Sequence, residues 1–100
     1  MIVLIGYIEL YIEEAKSLKD RRSVVNSIIS SLRNRFNISV SEIMVEDDFH
    51  YAKIGISAVT IKRILSNKMK ESIINFIESY YPGRICDYLF ETEDHSSDNV

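Results

Sequence analysis

Six cations lie within twenty residues of this chain: Lys16, Lys19, Arg21, Arg22, Arg33 and Arg35, with Asp20 as the single acid among them. That stretch carries a net +5 inside a chain of formal charge -3, which leaves -8 for the remainder. Ammonium and guanidinium groups recognise phosphate and carboxylate, so the chemistry this cluster offers is anion binding. Lys19, Arg21 and Arg22 also fall where the first turn of a helix is expected, against the positive end of its dipole, which costs about a few tenths of a kcal/mol each. A phosphate at the free N-H groups relieves that conflict, and RNA is one source of phosphate. The competing reading is a solvated surface on which Asp20, Glu13 and Glu14 pair with the cations.

Other chemistries find little in the sequence. Cys86 is the only cysteine, so no disulfide forms within the chain, and His50 and His95 are too far apart to write a metal-ligand set. The run Glu46-Asp47-Asp48 reads as a solvated turn, because three adjacent acids cannot all point inward. His50 reads as an exposed side chain at a strand end, with no Ser, Cys or paired carboxylate spaced to work with it. No catalytic residue, metal or cofactor is therefore expected. The overall acidity, with a pI near 5.3, argues against a protein that coats nucleic acid by bulk attraction. The apolar run Ile2 to Ile8 is far too short for a membrane span, and the first residues lack the pattern of a signal peptide. A cytoplasmic protein with no membrane partner is the expectation.

The elements that hold the cations follow from periodicity. Val25, Ile28, Ile29, Leu32 and Phe36 recur at spacings of three and four and form one apolar helical stripe. Ser17 and Asp20 fit a capping pair, so the helix should start near Leu18 and stop at Asn37 in the left-handed conformation. On that wheel Lys19, Arg22 and Arg33 share a flank with Asn26 and Ser30, Arg35 lies on the opposite flank, and Arg21 sits close to the apolar edge. Before the helix, Ile2 to Glu13 is apolar on both alternations, with Ile2, Leu4, Ile8, Leu10 and Ile12 on one face and Val3, Ile5, Tyr7 and Tyr11 on the other; this is a central strand. Gly6 leaves a gap in the first face that suits close packing of a helix, ahead of the alternative of a bulge.

After the helix, Ile38 and Val40 change parity with Ile43 and Val45, so a bulge is expected near Ser41 and Glu42. His50 to Thr60 alternates, with Ala52, Ile54, Ile56 and Ala58 facing inward. A second helix lies between Ile61 and Tyr81, with Leu65, Met69, Ile73, Phe76, Ile77 and Tyr80 on its stripe and Pro82-Gly83 ending it. Arg84 to Glu93 reads as a final strand whose acids suit a sheet edge, and residues 94 to 100 as a frayed acidic tail.

One hundred residues with 46% hydrophobic content suit one domain, here residues 1 to 93. Strand, helix, strand, strand, helix, strand is the ferredoxin-like βαββαβ pattern: an α+β fold with a four-stranded antiparallel sheet and two helices on one face. Within it, Ser17-Leu18-Lys19-Asp20-Arg21-Arg22 with Val24-Val25, then Arg33-Asn34-Arg35-Phe36-Asn37-Ile38-Ser39-Val40 and Glu42, resemble the bacterial YlxP-like family of unknown function, DUF503. The likeness runs from about residue 2 to 93. Members carry an Asp and a Trp two residues apart before the third strand; Asp47 and Phe49 stand there in this chain, with Asp48 in place of the usual apolar residue between them. The resemblance implies a ferredoxin-like fold and, from the family's gene neighbourhood beside translation factors, a connection to translation or ribosome maturation.

Three functions are then expected in order. The first is a non-enzymatic factor that contacts ribosomal RNA or a ribosomal subunit through Lys19, Arg22 and Arg33, with Lys16, Arg21 and Arg35 around them. Sequence-specific RNA reading is not expected, since Tyr51 is the only ring among Tyr51, Lys53, Gly55 and Ser57 on the outer face of the third strand. The second is a protein-interaction module that pairs with a second copy, as a homodimer, or with a protein partner through the open sheet face that bears Ile5, Tyr7, Tyr11, Tyr51 and Val59 together with Val3. The third is a phosphate-ester or acyl-phosphate enzyme, for which the first strand should lead into a Gly-rich loop ending in Arg; Glu13-Glu14-Ala15 stands there instead.

Overall fold

Strong two-sided apolarity puts the first strand in the middle of a sheet, and the computed structural model, which describes residues 1–45 and 48–95, does so. The chain runs β1 (Ile2–Tyr11), α1 (Leu18–Arg35), β2 (Ser39–Val45), β3 (Tyr51–Thr60), α2 (Arg63–Tyr80) and β4 (Ile85–Asp94), and the sheet order is β2-β3-β1-β4. All three pairings are antiparallel, and α1 and α2 pack on one face of the sheet. This is the ferredoxin-like fold. Ile2, Leu4, Ile8 and Leu10 of β1 and Ala52, Ile54, Ile56 and Ala58 of β3 are buried beneath the helices, together with Val25, Ile28, Ile29 and Leu32 of α1 and Ile73 and Ile77 of α2. No described helix is long and apolar enough to cross a membrane.

Helix α1 begins as its cap dictates: the Asp20 N-H donates to Ser17 Oγ at 3.2 Å. The Asp20 carboxylate reaches one residue beyond the cap, accepting from the Lys16 N-H at 3.0 Å. Its end differs from the expectation. Asn37 does not adopt the left-handed conformation; Phe36, at φ -125° and ψ 148°, leads straight into extended chain while its N-H still donates to the Leu32 carbonyl. The Phe36 ring packs edge-on against Phe76 at 5.7 Å between centroids, and that contact fixes the exit direction without a glycine-like turn. After α2, Gly83 takes φ 75°, which a Cβ would resist.

Two features of the sheet depart in detail from the pattern. The gap at Gly6 is filled by a strand neighbour and not by a helix: Phe90 of β4, paired with Gly6, lays its ring where a Cβ would stand. The β2 bulge falls between Glu42 and Met44, one residue beyond the expected place, and it turns Ile43 across Gly55 of β3 on the face away from the helices.

The α2 stripe also needs correction. Leu65 and Tyr80 are exposed, whereas Ser66, about 100° further round the helix than Leu65, is fully buried. Its hydroxyl lies 3.1 Å from Thr60 Oγ1, so a satisfied polar pair fills the site that the hydrophobic count assigned to leucine. Strand β4 continues to Asp94, and His95 exchanges hydrogen bonds with Met1, so the ordered chain passes the expected boundary at residue 93. The rest of the expected tail, residues 96–100, lies outside the described residues, as do Glu46 and Asp47 of the acidic turn.

Candidate functional site

Because α1 is held to β2 and β3 by its apolar stripe, its cations sort by angle around the helix. Arg21, next to the stripe, is 3% exposed. Its Nε donates to the Tyr51 carbonyl at 2.7 Å, and its Nη2 is hydrogen-bonded and ion-paired to Glu42. Arg21 is therefore a tether from α1 to the middle of β2 and the start of β3, and it is not available to a ligand. The sequence already placed it at the apolar edge; an arginine there is buried only with partners for its fork, and the partners come from across the fold.

Lys16, Lys19 and Arg22 stand exposed, with no ion-pair partner among the described residues. Of the three acids expected to neutralise them, Asp20 is taken by the cap and Glu14 by Arg84, and exposed Glu13 makes no ion pair with them among the described residues. Arg33 shares their flank, about 16 Å along the helix from Arg22 at 1.5 Å per residue. One of its nitrogens donates to the Val40 carbonyl at 2.7 Å, covering a backbone acceptor of the edge strand β2. Arg35 is on the other side, where it lines a shallow groove with Phe36, Asn75, Phe76 and Tyr80. Of the six cations, Lys16, Lys19 and Arg22 are thus exposed at and just before the start of α1, Arg33 is exposed further along the flank of Lys19 and Arg22, Arg21 is buried, and Arg35 is on the other flank.

The five residues expected on the open sheet face do share it, because β1 and β3 pair with Tyr7 beside Gly55, Tyr11 beside Tyr51 and Val3 beside Val59. Tyr11 and Tyr51 rings are 5.3 Å apart, so β1 adds the rings that β3 alone lacks. Ile5 and Val59 are exposed, and so are three residues that sequence reasoning did not include: Ile43 and Met44 of β2 and Leu89 of β4. Leu89 was findable, since it alternates with Asp87 and Glu91 and pairs with Tyr7. Ile43 was not, because its direction is set by the bulge. The face also carries Glu9, Lys53, Asp87, Glu91 and Glu93.

His50 is half-buried rather than exposed, with its Nδ1 2.9 Å from Asp48 and its ring stacked on Tyr11 at 6.2 Å between centroids and tilted against Phe49 at 4.7 Å. Cys86 rests against Glu9, and desolvation first, with the Glu9 charge second, pushes its thiol up, which keeps it protonated and a poor nucleophile.

Arg84 joins the start of β4 to the loop after β1 by pairing with Glu14, whose carboxyl its hydrogen bonds hold down at about 2, from an ordinary value of 4.5. A carboxyl depressed in the folded state stabilises the fold above its ordinary pKa and loses that contribution as pH falls toward the folded value. Glu14 is 56% exposed, so solvent screening keeps the effect below about 1 kcal/mol. Glu14→Gln is expected to lower stability slightly at neutral pH and to flatten its decline between pH 4.5 and about 2. Denaturant titrations across that range check this; parallel curves for parent and variant count against the pair.

The comparisons with known proteins agree with this architecture. Residues 3–89 match the family model described as protein of unknown function, DUF503. The uncharacterized protein YlxP of Bacillus subtilis (strain 168) is 35% identical over 79 residues, spanning 77% of this chain and 86% of its own. Among solved structures, the de novo designed protein Foldit4 superposes with a TM-score of 0.52 at 14% identity, over 95% of this chain and 98% of the design. A second de novo design, with a ferredoxin fold, gives 0.51 at 10% identity over 100% and 90%. These two likenesses concern the fold alone. By the family match across its length and its kinship with YlxP, the chain belongs to the DUF503 family.

Proposed function

We propose that the protein is a small non-enzymatic factor that docks on RNA phosphates, in a translation or ribosomal setting, through the outer flank of α1. The observation that carries this reading is the set Lys16, Lys19 and Arg22: three exposed cations without an ion-pair partner among the described residues, gathered in a chain of net charge -3. Unpaired cations on one surface lose little by leaving water for phosphate, and they gain by counterion release. Arg33 extends the track with the part of its guanidinium that Val40 does not use. The contacts are with backbone phosphates and carry no sequence preference. The ribosomal setting comes from the family's association with translation genes.

Filter binding of the whole chain to ribosomal subunits and to structured RNA, across a salt series, tests the proposal. Lys16, Lys19 and Arg22 changed together to Gln should weaken binding and reduce the slope of log affinity against log salt by about 0.7 to 0.9 for each phosphate that is no longer neutralised. Arg35→Gln, on the other flank, should change little. The folded state should be intact, because the three side chains are exposed and make no ion pair among the described residues, and losing positive charge at the start of a helix relieves its dipole. A parent that shows no salt-sensitive binding, or a triple variant that binds as well as the parent, ends this reading.

A further inference from the structure

The open sheet face combines a large apolar surface with a polarised charge pattern. Ile5, Ile43, Met44, Val59 and Leu89 are each at least 43% exposed on or beside it. Tyr7 lies among them and is held in place: its hydroxyl donates to Asp87 at 3.2 Å, and Lys53 Nζ sits 4.7 Å from its ring centroid. Lys53 is in turn 3.7 Å from the Glu9 carboxylate. A contact surface fixed in this way has little side-chain freedom left to lose on binding.

Its size fits a sheet-sized partner. Three strands of ten residues and one of seven, about 4.8 Å apart and rising about 3.3 Å per residue, present a face on the order of 600 Å². A stable interface covers about 800 Å² on each partner, with the specific class beginning at about 600 Å² a side, so the whole face is required. Nucleic acid does not suit it despite the three tyrosines, because Glu9, Asp87, Glu91 and Glu93 outnumber Lys53 there.

We propose that this face joins a second copy of the chain, sheet against sheet, about a two-fold axis that runs along the strands between β1 and β3. The charges select that axis. Residues paired between β1 and β3 exchange places across it, so Glu9 faces the second copy's Lys53 and Lys53 faces the second copy's Glu9. The ion pair already present in one chain becomes a ring of four alternating charges. Tyr7 meets the second copy's Gly55, and the acids of β4 lie over β2, whose outward residues Ser39, Ser41, Ile43 and Met44 are uncharged. A two-fold axis across the strands would lay β4 on the second copy's β4 and bring the two sets of Asp87, Glu91 and Glu93 together, acid against acid. Both copies then keep α1 on the outside, so the proposal is independent of RNA docking.

Sedimentation equilibrium on the whole chain tests it. The parent should be a dimer at micromolar concentration, and Ile5→Glu and Leu89→Arg should each give a monomer with an unchanged circular dichroism spectrum. Lys53→Glu places four acids together beside the axis and should raise the dimer dissociation constant by about 100-fold or more, given the several kcal/mol that like-charge contact costs. Adding Glu9→Lys to that variant inverts every charge in the ring and should restore the parent's affinity. A monomeric parent at high micromolar concentration, or a dimer indifferent to both apolar-face variants, overturns the proposal. Failure of the charge-inverted double variant to recover overturns the axis and the proposal with it.

Discussion

Arg21→Ala is expected to lower the stability of the protein by about 2 to 4 kcal/mol, while Arg22→Ala, one residue on, moves it by less than about 0.5 kcal/mol. The contrast follows from where the two guanidinium groups lie. Arg21 is 3% exposed and spends its fork on the Tyr51 carbonyl and the Glu42 carboxylate. Truncation leaves a carboxylate that is 22% exposed without its counter-charge, and it opens a gap between α1 and the two strands β2 and β3. Removing one partner of a fully buried pair costs about 3 to 5 kcal/mol, and the residual hydration of Glu42 places this case toward the lower end. Arg22 projects into solvent. For a domain of about one hundred residues, 2 kcal/mol corresponds to a melting shift of roughly 10 °C. Arg21→Lys should fall between parent and alanine, since an ammonium cannot hold both partners in a fork. If Arg21→Ala and Arg22→Ala melt together, Arg21 is not a tether.

That residue also shows how far the sequence could be read. The helix wheel located Arg21 at the apolar edge, but its burial depends on Glu42 and on a carbonyl of β3, thirty residues on in the chain. Cations at the start of a helix look alike in sequence, and only tertiary partners separate the tether from the surface. The fold was legible because it rests on period: the two-sided apolarity of β1, the alternation of β3 and the stripe of α1 each have a single geometry that buries them. Three of the departures arise where a polar or aromatic contact replaces a hydrophobic or turn signal. Ser66 is buried because Thr60 answers its hydroxyl, Asn37 stays out of the left-handed region because Phe36 finds Phe76, and Gly6 receives an aromatic ring from the neighbouring strand. The open face was half visible: its β1 and β3 residues follow from alternation, whereas Ile43 depends on a bulge whose position the pattern gave only to within a residue.

Leu32→Ala and Ile56→Ala should each destabilise the protein by about 2 to 5 kcal/mol, the sum of lost transfer free energy and the cavity left behind. Leu32 is fully buried on the inner side of α1, and Ile56 is 3% exposed on the helix-covered face of β3, between Gly6 and Val40. Both belong to one buried cluster, which the helix enters from above and the sheet from below. Ile56 has little room to be replaced by movement of its neighbours, because Gly6 offers no side chain and its gap is already taken by Phe90. Relaxation around Leu32 is easier, as a helix can shift on its sheet, so Ile56→Ala is expected at the upper end of the range and Leu32→Ala nearer the middle. Leu65→Ala serves as the control: the leucine is 40% exposed despite its place on the α2 stripe, and its loss should cost no more than about 1 kcal/mol. Since the whole stability of such a domain is about 5 to 15 kcal/mol, the Leu32 and Ile56 variants combined approach unfolding at room temperature. Urea denaturation of the four proteins decides the point. Equal losses for Leu65 and Leu32 would mean that α2 turns its expected stripe to the core after all, and that Ser66 does not occupy the buried position.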